Sequence, residues 1–147
     1  MLEIRSPAFN NEELIPKKYT CQGDDVNPEL VIQGIPEETK SLVLIMDDPD
    51  APIGAWDHWV VWNLDPSILK IAEDSIPKGG VVGKNSWRRN DYGGPCPPSG
   101  THRYYFKLYA LDTQLALEEK SNKKTVEKAM KGHVIEQAVL IGKYKKL

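Results

Sequence analysis

The run Arg103–Leu111 does most to limit what this chain can become. Tyr104, Phe106, Leu108 and Ala110 alternate with Arg103, Tyr105, Lys107 and Tyr109, and a period of two suits a half-buried strand. Shorter runs carry the same chemistry. Glu29-Leu30-Val31-Ile32, Ser41-Leu42-Val43-Leu44-Ile45-Met46 and His58-Trp59-Val60-Val61-Trp62-Asn63-Leu64 are β-branched or aromatic, and Gly, Pro, Asn and Asp bound them. A closing strand is expected at Ala138–Tyr144, before a solvated Lys145-Lys146 tail. The segment 122–131 reads as a helix, with Asn122 as its cap and Gly132 as its stop. Strands dominate, so the expected fold is mostly β: a sandwich of two antiparallel-dominated sheets with one or two peripheral helices.

A chain of 147 residues suits a single domain, 1–147, with a core that needs no staples. The formal net charge of −2 exerts no general pull on nucleic acid or anionic membrane, and nucleic acid is not expected as a partner. The apolar run Leu42–Met46 is too short to span a bilayer, and the N-terminus lacks the apolar stretch of a signal peptide. A cytoplasmic location is the resulting expectation. Two cysteines, Cys21 and Cys96, form neither a disulfide framework nor a zinc motif. They are expected as two thiols, with a bridge as the less favoured alternative.

Two loops stand out against this strand pattern. Asp48-Pro49-Asp50-Ala51-Pro52 precedes His58, and Gly93-Gly94-Pro95-Cys96-Pro97-Pro98-Ser99-Gly100 precedes His102. Each stiff loop delivers an imidazole to the head of a strand, which points to one pre-formed polar pocket. If the strands on either side of the Asp-rich loop pair antiparallel, Asp48 and His58 fall at the same end. His102 joins them only if its strand runs in the same direction as the one that begins at His58.

Taken in order, Asp48-Pro49-Asp50-Ala51-Pro52, Asp57-His58-Trp59, Gly94-Pro95-Cys96-Pro97-Pro98 and Gly100-Thr101-His102-Arg103-Tyr104 resemble the signature set of the phosphatidylethanolamine-binding protein family. That family includes the Raf kinase inhibitor proteins and their bacterial and archaeal relatives. Tyr19-Thr20-Cys21-Gln22-Gly23 with Asn27-Pro28 resembles the early loop of its prokaryotic branch, and Gly132-His133 with Leu140-Ile141-Gly142-Lys143-Tyr144 resembles that branch's C-terminal end, so the similarity covers nearly the whole chain. The resemblance implies a β-sandwich with a small pocket for phosphate and phosphorylated headgroups. It places that pocket at Asp48, Pro52, His58, Pro97, Pro98, His102 and Tyr104, with Asp50, Gly100 and Arg103 in support. It also implies a cis bond at Ala51–Pro52 that would aim Asp48 inward.

The side-chain chemistry suits such a ligand. Imidazole titrates near neutrality, and each ring can donate to a phosphate oxygen. Gly93, Gly94 and Gly100 are expected to let the backbone approach the ligand, and the prolines to hold the loop in shape beforehand. Asp48 would repel phosphate unless it orients a histidine, shares a proton, or faces an ammonium. Three charge-assisted hydrogen bonds at about 1.5–3 kcal/mol each, set against an association cost of at least about 4 kcal/mol, predict affinity for a bare headgroup of about millimolar or weaker.

Rival readings use the same residues. Asp48, His58 and His102 match the ligand count of an open zinc site, but phosphate needs no metal, and no metal or other cofactor is expected. Ser99 and His102 lie too close in sequence to suggest a pre-aligned nucleophile and base, no Gly-x-Ser-x-Gly elbow is present, and Gly93-Gly94 is not followed by Gly-Lys-Ser/Thr. The expectation is a binding protein, not an enzyme. His133 is read as structural or solvated, the four tryptophans as packing groups of which one could wall the pocket, and Trp87–Tyr92 as a solvated loop.

The alternative function is inhibition of a protein kinase or serine protease through surface loops, as the resemblance also allows. Short, rigid, exposed loops would favour inhibition; a pocket with an exposed apolar rim would favour ligand capture. The chain ends soon after Tyr144, so the C-terminal helix of eukaryotic members is expected to have no counterpart. Relatives in the prokaryotic branch are often dimeric, which makes a homodimer a candidate assembly.

Overall fold

The four longest strands form where β-branched and aromatic side chains concentrate, and they lie side by side. A computed structural model describes all 147 residues. In chain order the strands are β1 (Glu3–Arg5), β2 (Glu13–Leu14), β3 (Leu30–Gln33), β4 (Ser41–Asp48), β5 (Trp56–Leu64), β6 (Lys70–Ile71), β7 (Val81–Val82), β8 (Thr101–Leu111) and β9 (Val134–Lys145). One α-helix, α1 (Lys123–Met130), precedes β9. A small sheet has the order β1-β3-β6, and a larger one β2-β9-β8-β4-β5-β7. Antiparallel pairs predominate, with β2 and β9 the parallel exception. The expected mostly-β sandwich with a peripheral helix is the observed architecture.

Burial explains which strand takes the centre. Every residue of β4 is buried, because both faces of the large sheet are covered there. On the inner face Leu42, Leu44 and Met46 pack with Tyr104, Phe106 and Leu108, against Leu30 and Ile32 of the small sheet. On the outer face Val43, Ile45, Val60 and Trp62 pack beneath Val126 and Met130 of α1. The helix starts where predicted: the Asn122 side chain accepts from the Thr125 N–H, capping one otherwise orphaned donor. Gly132 follows the helix at φ 81°, a left-handed position that favours glycine. No helix is long and apolar enough to cross a membrane.

The topology meets the condition that a shared pocket imposes. β4 pairs antiparallel with β5 on one side and with β8 on the other, so β5 and β8 run in the same direction. The end of β4 therefore lies between the starts of β5 and β8.

The expectation of two thiols is corrected: Cys21 and Cys96 form a disulfide. Local hydrogen bonds bring the two loops together, with Cys21 N–H donating to the Pro95 carbonyl (3.1 Å). Gly94 N–H donates to Asp25 Oδ1 (2.8 Å) and the Tyr92 hydroxyl to the Tyr19 carbonyl (2.8 Å). The Cα atoms are left 5.4 Å apart, within bridging range. These contacts are tertiary, and cysteine spacing alone could not reveal them.

A candidate anion site at the end of the large sheet

Asp48, His58 and His102 converge because β4 ends where β5 and β8 begin, but His58 needs one further device. Strict alternation would place it with Val60 and Trp62 on the outer face. Instead the β4–β5 register steps from Met46–Trp59 to Asp47–Asp57, leaving His58 as the extra residue of a bulge. A bulge re-aims a side chain, and His58 joins Asp48 and Tyr104 in a cavity of about 300 Å³.

Both imidazoles use one ring nitrogen on the protein and leave the other for the cavity. His58 Nδ1 lies 2.7 Å from the Gly93 carbonyl, so this nitrogen carries the proton and donates. Burial lowers the pKa of His58, partly opposed by the Gly93 carbonyl and the Asp48 charge. The ring is therefore neutral at neutral pH and presents the Nε2 lone pair. His102 Nδ1 lies 2.6 Å from Asp48 Oδ2, and both side chains are buried. The other Asp48 oxygen accepts from Asp50 N–H at 2.8 Å. Asp48 is thus occupied in orienting His102 and closing its own loop.

Tyr104 sits between the two rings. Its centroid lies 5.2 Å from His58, edge to face, and 6.5 Å from His102, nearly parallel. Its hydroxyl is buried without a hydrogen-bond partner. Burial raises its pKa well above the usual phenol value, helped by the Asp48 charge; the Cys96 backbone opposes this weakly without forming a well-aligned bond. The phenol stays protonated and is available as a donor.

The supporting residues act on the loops. Asp50 accepts from the Arg103 backbone N–H (2.9 Å), from its Nε (2.9 Å) and from Nη2 (2.8 Å). The Arg103 guanidinium holds the Asp50 carboxyl down at about 2. Gly100 adopts φ 70°, favoured by glycine, just before β8. The glycines do not all serve the ligand. A Cβ at Gly93 would meet the Trp87 ring at 2.3 Å, and one at Gly94 would meet the Tyr19 carbonyl oxygen at 2.2 Å. Both permit close packing within the protein, which corrects the expected backbone approach to a ligand.

The expected cis bond is also absent, since the chain contains no cis peptide. Pro52 sits inside a turn whose Gly54 N–H reaches the Ala51 carbonyl at 3.3 Å, a place where the fixed φ of a trans proline already suits the chain. Asp48 is aimed by His102 and the Asp50 amide instead.

All seven residues expected in the pocket (Asp48, Pro52, His58, Pro97, Pro98, His102 and Tyr104) line this cavity. Sequence reasoning missed Ala51, Ile53 and Cys96, and it allowed one unspecified tryptophan at the wall where two, Trp56 and Trp87, complete the lining. Ala51 and Ile53 flank Pro52 in the loop already singled out, and Cys96 lies inside the second loop. Nothing in the sequence distinguished Trp87 from the other tryptophans; it arrives by packing edge-on against His58 at 4.9 Å. His133 lies elsewhere, exposed and paired with Asp112 at 2.8 Å, while Trp59 and Trp62 are buried core.

Comparison with known proteins agrees with this fold. A family model described as phosphatidylethanolamine-binding protein matches residues 5–145. A UPF0098 protein of Methanothermobacter thermautotrophicus is 47% identical, over 99% of each chain. One from Pyrococcus horikoshii is 49% identical, over 96% of this chain and 75% of its own. Among solved structures, a phosphatidylethanolamine-binding protein homolog from Chlamydia trachomatis superposes with a TM-score of 0.95 at 44% identity, covering 99% of this chain and 98% of its own. Escherichia coli YbcL, a member of the same family, reaches 0.92 at 28% identity, covering 99% of both chains.

Proposed function

Because the chain belongs to the phosphatidylethanolamine-binding protein family, we propose that its cavity binds a phosphate-type anion or phosphorylated headgroup without turning it over. The observation that carries this reading is the Tyr104 hydroxyl, a buried donor without a partner in a cavity shared with two imidazoles. An unsatisfied buried polar group costs about 1–3 kcal/mol, and a ligand oxygen would remove that cost. His102, oriented by the Asp48 carboxylate on Nδ1, offers Nε2 to a ligand oxygen and donates from it when the ring carries both protons. Neutral His58 presents an acceptor to a protonated phosphate oxygen, or takes up a proton and donates.

Binding is favoured over catalysis by the state of the remaining groups. The Tyr104 phenol is held protonated by burial, the Cys96 sulfur is bonded to Cys21, and Ser99 is exposed on the loop. The rim favours ligand capture over loop-mediated inhibition: Ile53 is 96% exposed and Trp87 37% exposed, an apolar margin beside a polar floor.

The test is an NMR titration with inorganic phosphate and with O-phosphoethanolamine, following the three histidine rings and the ³¹P signal. Saturable, joint shifts of His58 and His102, with His133 still and no phosphate released, are expected at about millimolar ligand. Unmoved His58 and His102 rings would refute the site, and release of phosphate from O-phosphoethanolamine would refute the non-enzymatic reading. A stronger response to O-phosphoethanolamine than to phosphate would place its ammonium near Asp48.

A further inference from the structure

The segment 96–100 forms one wall of the cavity through Cys96, Pro97 and Pro98, and its attachment is unusual. Up to Pro95 the preceding loop is well tied: Gly93 N–H donates to the His58 carbonyl, the Gly93 carbonyl accepts from His58 Nδ1, Gly94 N–H reaches Asp25, and the Pro95 carbonyl accepts from Cys21 N–H. From Cys96 to Gly100 no hydrogen bond to the rest of the protein replaces these ties. Pro97 and Pro98 have no N–H to offer, and Pro98, Ser99 and Gly100 are exposed. Between Pro95 and the start of β8 at Thr101, the one covalent cross-tie is the sulfur bridge to Cys21.

That bridge is also open to attack. Cys21 is exposed and Cys96 is half-buried in the wall of an open cavity. We propose that Cys21–Cys96 is a reversible redox site that sets the affinity of the adjoining cavity, with the disulfide as the high-affinity form. This rests on the reading of the cavity as an anion site. The reductant is a dithiol. Its thiolate attacks the sulfur of Cys21, the more exposed of the two residues, the S–S bond breaks, and the Cys96 thiolate leaves. The second thiol of the reductant then attacks the mixed disulfide and releases Cys21. Two electrons pass to the protein, the reductant becomes a disulfide, and two protons end on Cys21 and Cys96.

Reduction leaves the hydrogen bonds up to Pro95 in place and frees the wall beyond it. A site that is competent about a tenth of the time binds about tenfold more weakly. Linkage then requires the reverse effect. A ligand that prefers the oxidised form tenfold makes the bridge harder to reduce, lowering its midpoint potential by about 30 mV for a two-electron couple.

The experiment uses the intact chain, oxidised or held in excess dithiothreitol, with far-UV circular dichroism to establish that both forms are folded. Phosphate is titrated into each while the His58 and His102 rings are followed. Separately, the midpoint potential is measured in a dithiothreitol redox buffer with and without saturating phosphate, a readout that needs no variant. About tenfold weaker phosphate binding after reduction, and a lower potential with phosphate present, are expected. Equal affinities and equal potentials would overturn the redox role while leaving the anion site standing. A bridge that resists reduction in the folded protein, or a reduced chain that unfolds, would also overturn it. If the oxidised protein itself ignores phosphate, the cavity reading fails first and the redox inference falls with it.

Discussion

The Tyr104 hydroxyl separates what stabilises the fold from what serves the ligand. No protein group pairs with it, whereas a phosphate oxygen would give it a charge-assisted bond. Tyr104→Phe should therefore leave thermal stability unchanged or raise it, and weaken phosphate binding by at least about tenfold, since such bonds contribute about 1.5–3 kcal/mol. A parallel loss of stability and affinity would mean that the hydroxyl serves packing. His58 makes the second residue-scale prediction. Burial holds its folded pKa below the unfolded value, so the unfolded chain takes up the proton first as pH falls. Stability should decline as pH drops below about 6.5, and His58→Asn should remove part of that slope in denaturant titrations between pH 7.5 and 5.5. A wild-type slope that His58→Asn leaves intact would assign the effect to another group. Phosphate binding, as proposed, should have the opposite sense, because a dianion at Nε2 would favour the protonated ring.

At the scale of elements, the loop between β4 and β5 is held by Asp50 and Arg103. With its carboxyl at about 2, Asp50 supports the loop above its unfolded value near 3.9, and that support disappears as pH falls through about 2. Exchange of the Arg103 amide, which donates to Asp50, should stay protected from pH 7 to 4 in the wild type, and Asp50→Asn should accelerate it throughout that range and weaken phosphate binding. Equal protection in the two proteins would show that the Asp50 carboxylate is dispensable there. The same elements show why part of the molecule was readable in advance. β4, β5, β8 and β9 each carry enough β-branched or alternating residues for the pattern to register. β2, β6 and β7 are two residues long, too short for any period, and form only because a neighbouring strand is already there. The two proline loops were legible as a site because their rigidity serves no core. The bulge that turns His58 inward was not, since it is a register fault between two strands and leaves no mark on either one alone.

For the whole molecule, the disulfide raises the question of how much the fold depends on it. A chain of 147 residues with inner and outer apolar layers buries enough surface to fold without staples. The bridge nevertheless joins residues 75 apart in sequence, and a cross-link closing so long a loop removes unfolded-state entropy worth about 4 kcal/mol. These two statements are compatible: the core decides that the chain folds, and the bridge decides how far the equilibrium lies toward the folded side. The Cys21→Ser, Cys96→Ser double variant should unfold in one cooperative transition at a melting temperature lower by roughly 10 °C, taking about 2–4 °C per kcal/mol for a domain of this size. Its far-UV spectrum before the transition should match the wild type. A variant without a cooperative transition would mean that the sandwich cannot hold its two sheets together unaided. An unchanged melting temperature would mean that strain in the folded state offsets the entropic gain, and that the bridge matters to the cavity wall alone.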